Sequence, residues 1–442
     1  MEYKAEKKID YLYENIEQIN NFDEGRVLTC NDKDNLKKLY DYFMLITDSC
    51  DEIINTLNMI KRSVSVYHEE IKNYFQPIHM EKLILLCRKR ELLNIVIDVI
   101  HDIMLIIPES LDILIQLNFF ENIKCYVSEN DIKTLINFLI DILSICDDEK
   151  KLIYVRNEIY FKLFPIFTNG INEGKQTYIE EYSRICFMMC HYGNYPNNFG
   201  DILSSILYSF LQSNNDYIII NGIQGMKQLL TNNYDISSFV FLQSYSETCI
   251  IEDLTLFLIH KNQNIQIASL RFLSKLFVYK DNVMKAMDYY GTLSEVRKII
   301  KSEIKDLIYP SLQFFYNWCL NTNEYYSKLL DEISEINFVE ICKNQSYTIK
   351  ELMIRLLLSI TENAIPYHIE KIFSSELIIT MFEQISNLNE QYTEYFIKII
   401  VNSANKCQNS AKFISILKEA LSDEYLNANY QKYINAISSM IQ

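Results

Sequence analysis

From about residue 91 onward, apolar residues recur with a helical period in segments separated by short polar breaks, and comparable segments return roughly every 40 to 48 residues. The leading helix of each unit is predicted to begin near Glu91, Asp131, Gln176, Asp216, Asn264, Lys305, Tyr347 and Gln391, so about eight units fill this stretch. The clearest unit runs from Gln266 to Phe277, breaks at Lys280-Asp281-Asn282, continues from Val283 to Met287, and resumes after Gly291 from Leu293 to Ile300. Other breaks carry Pro108, Pro196 or Pro366, and proline, with fixed φ and no amide hydrogen, ends one helix and starts the next.

Residues 1–90 differ in kind. Leu36, Leu39, Phe43, Ile46, Cys50, Ile53, Leu57, Ile60, Val64, Tyr67, Ile71 and Tyr74 alternate spacings of three and four, and no Gly or Pro interrupts them before Pro77. This seam predicts one long helix of coiled-coil character, or two helices joined by a tight turn. A shorter seam of Ile9, Leu12, Ile16 and Ile19 precedes it, beyond a loop at Gly25. The seam either pairs two chains into a homodimer through residues 36–74 or caps the first repeat, whose outer face needs a partner. Two domains are expected, an N-terminal helical segment at 1–90 and a helical-repeat domain at 91–442.

Composition narrows the class. A chain of 442 residues exceeds what one core can hold, and 8 Gly with 6 Pro are too few for the turns of doubly wound, barrel or sandwich folds. An all-α repeat array tolerates that scarcity. A net charge of −16 argues against a nucleic-acid partner, which demands clustered Lys and Arg. The charged start and the lack of an apolar run of about 18 residues predict neither a signal peptide nor membrane insertion. Eleven scattered Cys, an odd number, suit buried thiols in a reducing compartment. A cytoplasmic protein is expected, with nuclear or cytoskeleton-associated placement as alternatives.

Motifs for chemistry fail on spacing. Gly174-Lys175-Gln176 lacks the Ser or Thr of a phosphate loop, and Gly222-Ile223-Gln224-Gly225 lies in a helical pattern with no preceding strand, which fits a close helix contact. His68-Glu69-Glu70 is followed by Lys72 where a zinc-protease helix needs its second His. Cys186, Cys190 and His191 cluster on an apolar helix that suits buried thiols, and Asp98 with His101 has no matching second pair. No enzyme, cofactor or metal is expected.

The unit from Gln266 to Ile300, with its long helix and two shorter ones, resembles an armadillo repeat, and residues 91–442 are similar in period and apolar spacing to the armadillo and HEAT superfamily. The resemblance implies an all-α, right-handed armadillo-like α-solenoid of about eight helical repeats, preceded by the N-terminal long-helix segment. It also implies a concave groove lined by the last helix of each repeat. Importin-type members carry a ladder of Trp and Asn there. In this chain Gln313 stands at the Trp position and Asn317 at the Asn position of one unit, while the lone Trp318 falls on the buried side, so an importin-type transport adaptor is the less favoured alternative.

A polar stripe remains. Asp98, Asp102 and Asp141 occupy it in the early units, and Arg271, Lys275, Asn317, Arg355 and Lys398 in the later ones. It is either a solvated face, held by pairs such as Glu351 with Arg355 and Glu394 with Lys398 worth about 0.2–0.5 kcal/mol each, or a ligand groove. The expected function is a non-catalytic scaffold or adaptor that binds another protein through an acidic segment. A cytoskeletal assembly regulator, similar in architecture to formin regulatory domains, is the alternative that the N-terminal seam supports.

Overall fold

The structure is a computed structural model that describes residues 30–421 except 47–48, 128, 147, 173–176, 192, 194, 197, 238–248, 280, 322–324, 386–389 and 408–410. The short seam at Ile9 to Ile19 and the Gly174-Lys175 pair lie outside the described residues. Among the described residues every regular element is helical and none is a strand. The chain divides into two compact units, Met1–Asn194 and Tyr195–Gln442.

In the first unit α1 (Cys30–Leu45), α2 (Cys50–Val66), α3 (His68–Tyr74) and α4 (Pro77–Leu86) lead to α5 (Leu93–Ile106), α6 (Ser110–Gln116) and α7 (Phe119–Ile123). Then follow α8 (Glu129–Ile145), α9 (Glu149–Glu158), a π-helical turn (Ile159–Leu163), α10 (Phe164–Asn172) and α11 (Ile179–Met189). The long helices α2, α5, α8 and α11 stack side by side as rungs, while the shorter α4 and α6 pair beside them. A rung must bury both flanks. In α5, Leu93, Val96, Ile97, Val99, Ile100 and Ile103 are all fully buried, a span wider than the apolar stripe of an ordinary surface helix.

The second unit repeats the plan with α12 (Phe199–Phe210), α13 (Asp216–Thr231), α14 (Ile250–Phe257), α15 (Gln263–Leu276), α16 (Asp281–Tyr289) and α17 (Thr292–Lys301). It continues through α18 (Lys305–Asn321), α19 (Tyr326–Ile333), α20 (Phe338–Asn344), α21 (Tyr347–Asn363), α22 (Pro366–Ile372), α23 (Ser375–Ile385), α24 (Glu390–Lys406) and α25 (Ala411–Leu421). Its rungs α12, α13, α15, α18, α21 and α24 stack in chain order. Each unit is an all-α solenoid of armadillo-like repeats. The eight expected leading helices are α5, α8, α11, α13, α15, α18, α21 and α24, each starting close to its expected residue.

Local chemistry sets the rung ends. Asn215 and Asn262 cap α13 and α15 by accepting from the amides of Tyr217 and Asn264, both at 2.9 Å. The Asn262 amide also donates to Asp216 at 2.8 Å, which ties the start of α15 to that of α13. Gly291, at φ 70°, makes the left-handed turn between α16 and α17. At the far ends a lysine of another helix caps the free carbonyls: Lys82 on those of Phe43 and Ile46, and Lys406 on those of Glu362 and Ala364.

The N-terminal seam is not one long helix. It is cut into α1, α2 and α3 at Ser49, an extended N-cap that accepts from the amide of Glu52, and at Tyr67. The three-four spacing runs through both breaks, so the pattern alone could not reveal them. The seam residues pack inside the chain: Leu36, Leu39, Phe43, Ile46, Ile53, Leu57, Ile60, Val64 and Ile71 are buried, and both α2 and α3 contact α5. A coiled-coil partner at this seam would have to displace the chain's own helices.

The glycine pair expected at a close helix contact is found there. A Cβ on Gly222 would come within 2.8 Å of the Leu207 carbonyl oxygen of α12, and one on Gly225 within 2.5 Å of the Leu207 side chain. Gly222→Ala should therefore destabilise the protein by about 1–3 kcal/mol in chemical denaturation, outweighing the roughly 1 kcal/mol that alanine gains in helix propensity. Ile53, 1% exposed, offers a second check. Ile53→Asp is expected to cost at least about 3 kcal/mol with the sedimenting mass unchanged, and a fall in mass would assign the seam to chain pairing.

Candidate functional site

Helix α15 buries Ile265, Phe272, Leu273 and Leu276 against its neighbours, which leaves Arg271 and Lys275, one turn apart, exposed on the opposite side. Asn317 faces them from α18. Its Nδ2 donates to the Ser274 carbonyl of α15 at 3.3 Å, and its Oδ1 accepts from Gln313 Nε2 at 2.8 Å. Asn321 Nδ2 in turn donates to the Asn317 carbonyl at 2.7 Å. Between these walls lies an open cleft of about 580 Å³, lined by α13, α15, α18 and the 3₁₀ turn Phe277–Tyr279. Lys227 of α13 enters it from the side, and Phe277, Val278, Tyr309 and Pro310 supply apolar surface.

The electrostatics of this cleft are one-sided. Lys227, Arg271 and Lys275 line it with no Asp or Glu among the lining residues, in a chain that holds 58 acidic residues. Among the described residues none of the three forms an ion pair. Burial strips water from the half-buried Lys227 ammonium, and repulsion from Arg271 and then Lys275 adds to it, so its pKa falls below the usual lysine range. The cleft thus carries three cations and no acid among its lining residues.

The other basic stripe residues do not join this cleft. Arg355 on α21 donates from Nη2 to the Tyr392 hydroxyl of α24 at 2.5 Å, and its guanidinium stands 5.4 Å from that ring centroid. Lys398 pairs with Glu394 one turn before it at 2.8 Å and lies 6.0 Å from the Tyr395 ring. The expected basic strip is thus one uncompensated cleft at Arg271, Lys275 and Asn317, with two further cations already engaged. Trp318 is fully buried, as its place in the apolar pattern implied.

The acidic stripe belongs to the first unit. Asp98 Oδ2 meets Lys61 Nζ of α2 at 2.7 Å, and Asp141 of α8 stands 3.0 Å from His101 Nε2. Asp102 lies 3.8 Å from His101 Nδ1. Burial raises the Asp102 carboxyl above its usual range, against the pull of Lys61 and His101 and with the push of Asp98. His101 therefore lies between Asp102 and Asp141, not with Asp98 as the sequence spacing suggested. A ligand at this acidic stripe would compete with Lys61 and His101. Cys186 and Cys190 are fully buried, and burial pushes both thiols up, which makes them poor nucleophiles.

Sequence reasoning missed Lys227. The stripe positions on α13 are Gln224 and Gln228, and Lys227 lies one residue off that line, reaching the cleft through its four-carbon stem. A signal was present in the run of cations on neighbouring rungs, but only the stacking shows that they converge.

No family of known sequences and no curated protein matches the chain. Its fold does match solved structures. An engineered protein from a structural genomics consortium superposes with a TM-score of 0.67 at 13% identity, over 92% of this chain and 98% of that one. Designed armadillo repeat proteins, one solved in complex with the peptide (KR)4, match over 53% of this chain at 13% identity with a TM-score of 0.39. Among the described residues no helix is long and apolar enough to cross a membrane.

The strained charge at Lys227 has a consequence for stability. Its folded pKa lies below its unfolded value, so the destabilisation is complete below the folded pKa and fades as pH rises toward the ordinary 10.5. Lys227→Met keeps the stem and removes the charge. It should raise the melting temperature at pH 7, with the gain shrinking as the pH approaches 10.5, in paired thermal melts across that range.

Proposed function

We propose that the protein is a non-catalytic scaffold that binds another protein, and that an acidic segment of that partner lies in the cleft between α13, α15 and α18. The observation that carries this reading is the gathering of Lys227, Arg271 and Lys275 without a carboxylate partner on a protein of charge −16. The amides of Gln313, Asn317 and Asn321 add neutral hydrogen-bonding groups along one wall, suited to a peptide backbone. A rigid repeat array presents such a surface with little reorganisation on binding.

The cytoskeletal-regulator alternative leaned on a long N-terminal helix free to pair or dock. That stretch is instead three helices, of which α2 and α3 pack on α5, which removes its main support. The importin-type alternative has no Trp ladder to rest on.

The reading is tested with labelled dodecapeptide libraries, one rich in Asp and Glu and one rich in Lys, added to the full chain. The acidic library is expected to bind and to weaken as salt rises. Arg271→Glu with Lys275→Glu should reduce that binding at least tenfold, about 1.4 kcal/mol, and flatten its salt dependence, whereas Lys398→Glu should leave it unchanged. Acidic peptides that bind equally well to the double reversal would place the site elsewhere.

A further inference from the structure

The cleft holds more positive charge than an acidic side chain can satisfy. A carboxylate brings one negative charge and two oxygens, enough for one lysine or one guanidinium fork. Three cations converge here from two helices, and the lining offers no acid to share them. They are also graded in depth, with Arg271 and Lys275 exposed at the rim and Lys227 half-buried behind them. A phosphomonoester carries about −1.5 to −2 charges at neutral pH and three acceptor oxygens, one for each cation.

We propose that the cleft recognises a phosphorylated side chain on the partner's segment, with the phosphoryl group seated among Lys227, Arg271 and Lys275. The inference rests on the reading of the cleft as a segment-binding site and adds that phosphorylation switches the segment on. The burial and repulsion that hold the Lys227 ammonium low in the free protein are offset when a dianion sits beside it. Free phosphate compounds share this chemistry, but the cleft is built for a longer ligand. Gln313, Asn317 and Asn321 follow one another at four-residue intervals along α18, a row of about 12 Å beside the cations. That length matches three or four residues of extended chain, and exposed Val278 at the edge adds an apolar contact.

The test uses the full chain and three dodecapeptide libraries, randomised around a fixed central phosphoserine, glutamate or serine, in fluorescence anisotropy. The phosphoserine library is expected to bind at least about tenfold more tightly than the glutamate library. Lys227→Met, with its fold checked by circular dichroism, should weaken both libraries but the phosphoserine library by the larger factor, so that the tenfold gap between them closes to less than about threefold. Equal binding of the two libraries, both lost on reversal of Arg271 and Lys275, overturns the phosphoryl inference and leaves the acidic-segment reading standing. Binding of none of the libraries overturns both. Inositol hexakisphosphate or a single-stranded oligonucleotide that binds more tightly than the phosphoserine library, and with the same dependence on Lys227, overturns the assignment to a protein segment.

Discussion

A long helix inside either stack must bury two flanks at once, one against the rung before it and one against the rung after it. That requirement governs the sequence of α5, α15 and α18, where isoleucine, leucine and phenylalanine occupy most of the circumference. It also governs what is left. Only a narrow polar stripe escapes burial on each rung, and packed helices lie about 8–10 Å apart, so stripe residues of adjacent rungs are within reach of one another. Lys61 with Asp98, His101 with Asp141, Asn317 with Ser274 and Arg355 with Tyr392 are four instances of this one geometry.

Cross-rung pairing turns the stripe into a ledger of local charge. In the first unit it sets Lys61 against Asp98 and Lys133 against Glu181 on the next rung. At α13, α15 and α18 it does not balance, because all three charged residues lining the cleft are cations and the opposing wall is made of amides. Surface ion pairs add little stability, so most such positions are free to drift in sequence. Here burial, with repulsion from Arg271 and Lys275, disfavours the charged form of Lys227, and an anion beside it would relieve that penalty.

How far the sequence revealed this can be judged residue by residue. The repeat period located the eight leading helices because burial of two flanks writes a strong signal into each of them. Gly222 and Gly225 were legible as a close contact, since a helix interior tolerates glycine only for such a reason. The breaks at Ser49 and Tyr67 were not legible, because the three-four spacing of α1, α2 and α3 stays in phase across both turns. Lys227 was not legible either. Its place in the cleft depends on the path of a flexible stem between stacked helices, and linear spacing carries no information about that path.

The stacking has a mechanical consequence. Within a unit the rungs pack chiefly in chain order, so a force applied along the stack loads the interfaces largely in series. The weakest interface then sets the force at which the stack first gives, whatever the total number of buried residues. The lysine caps at Lys82 and Lys406 act as clasps on the ends of α1 and α21, and loss of either would let a helix end open before its buried flank does. In a stack held mainly by nearest-neighbour contacts, one rung can open while its more distant neighbours stay packed.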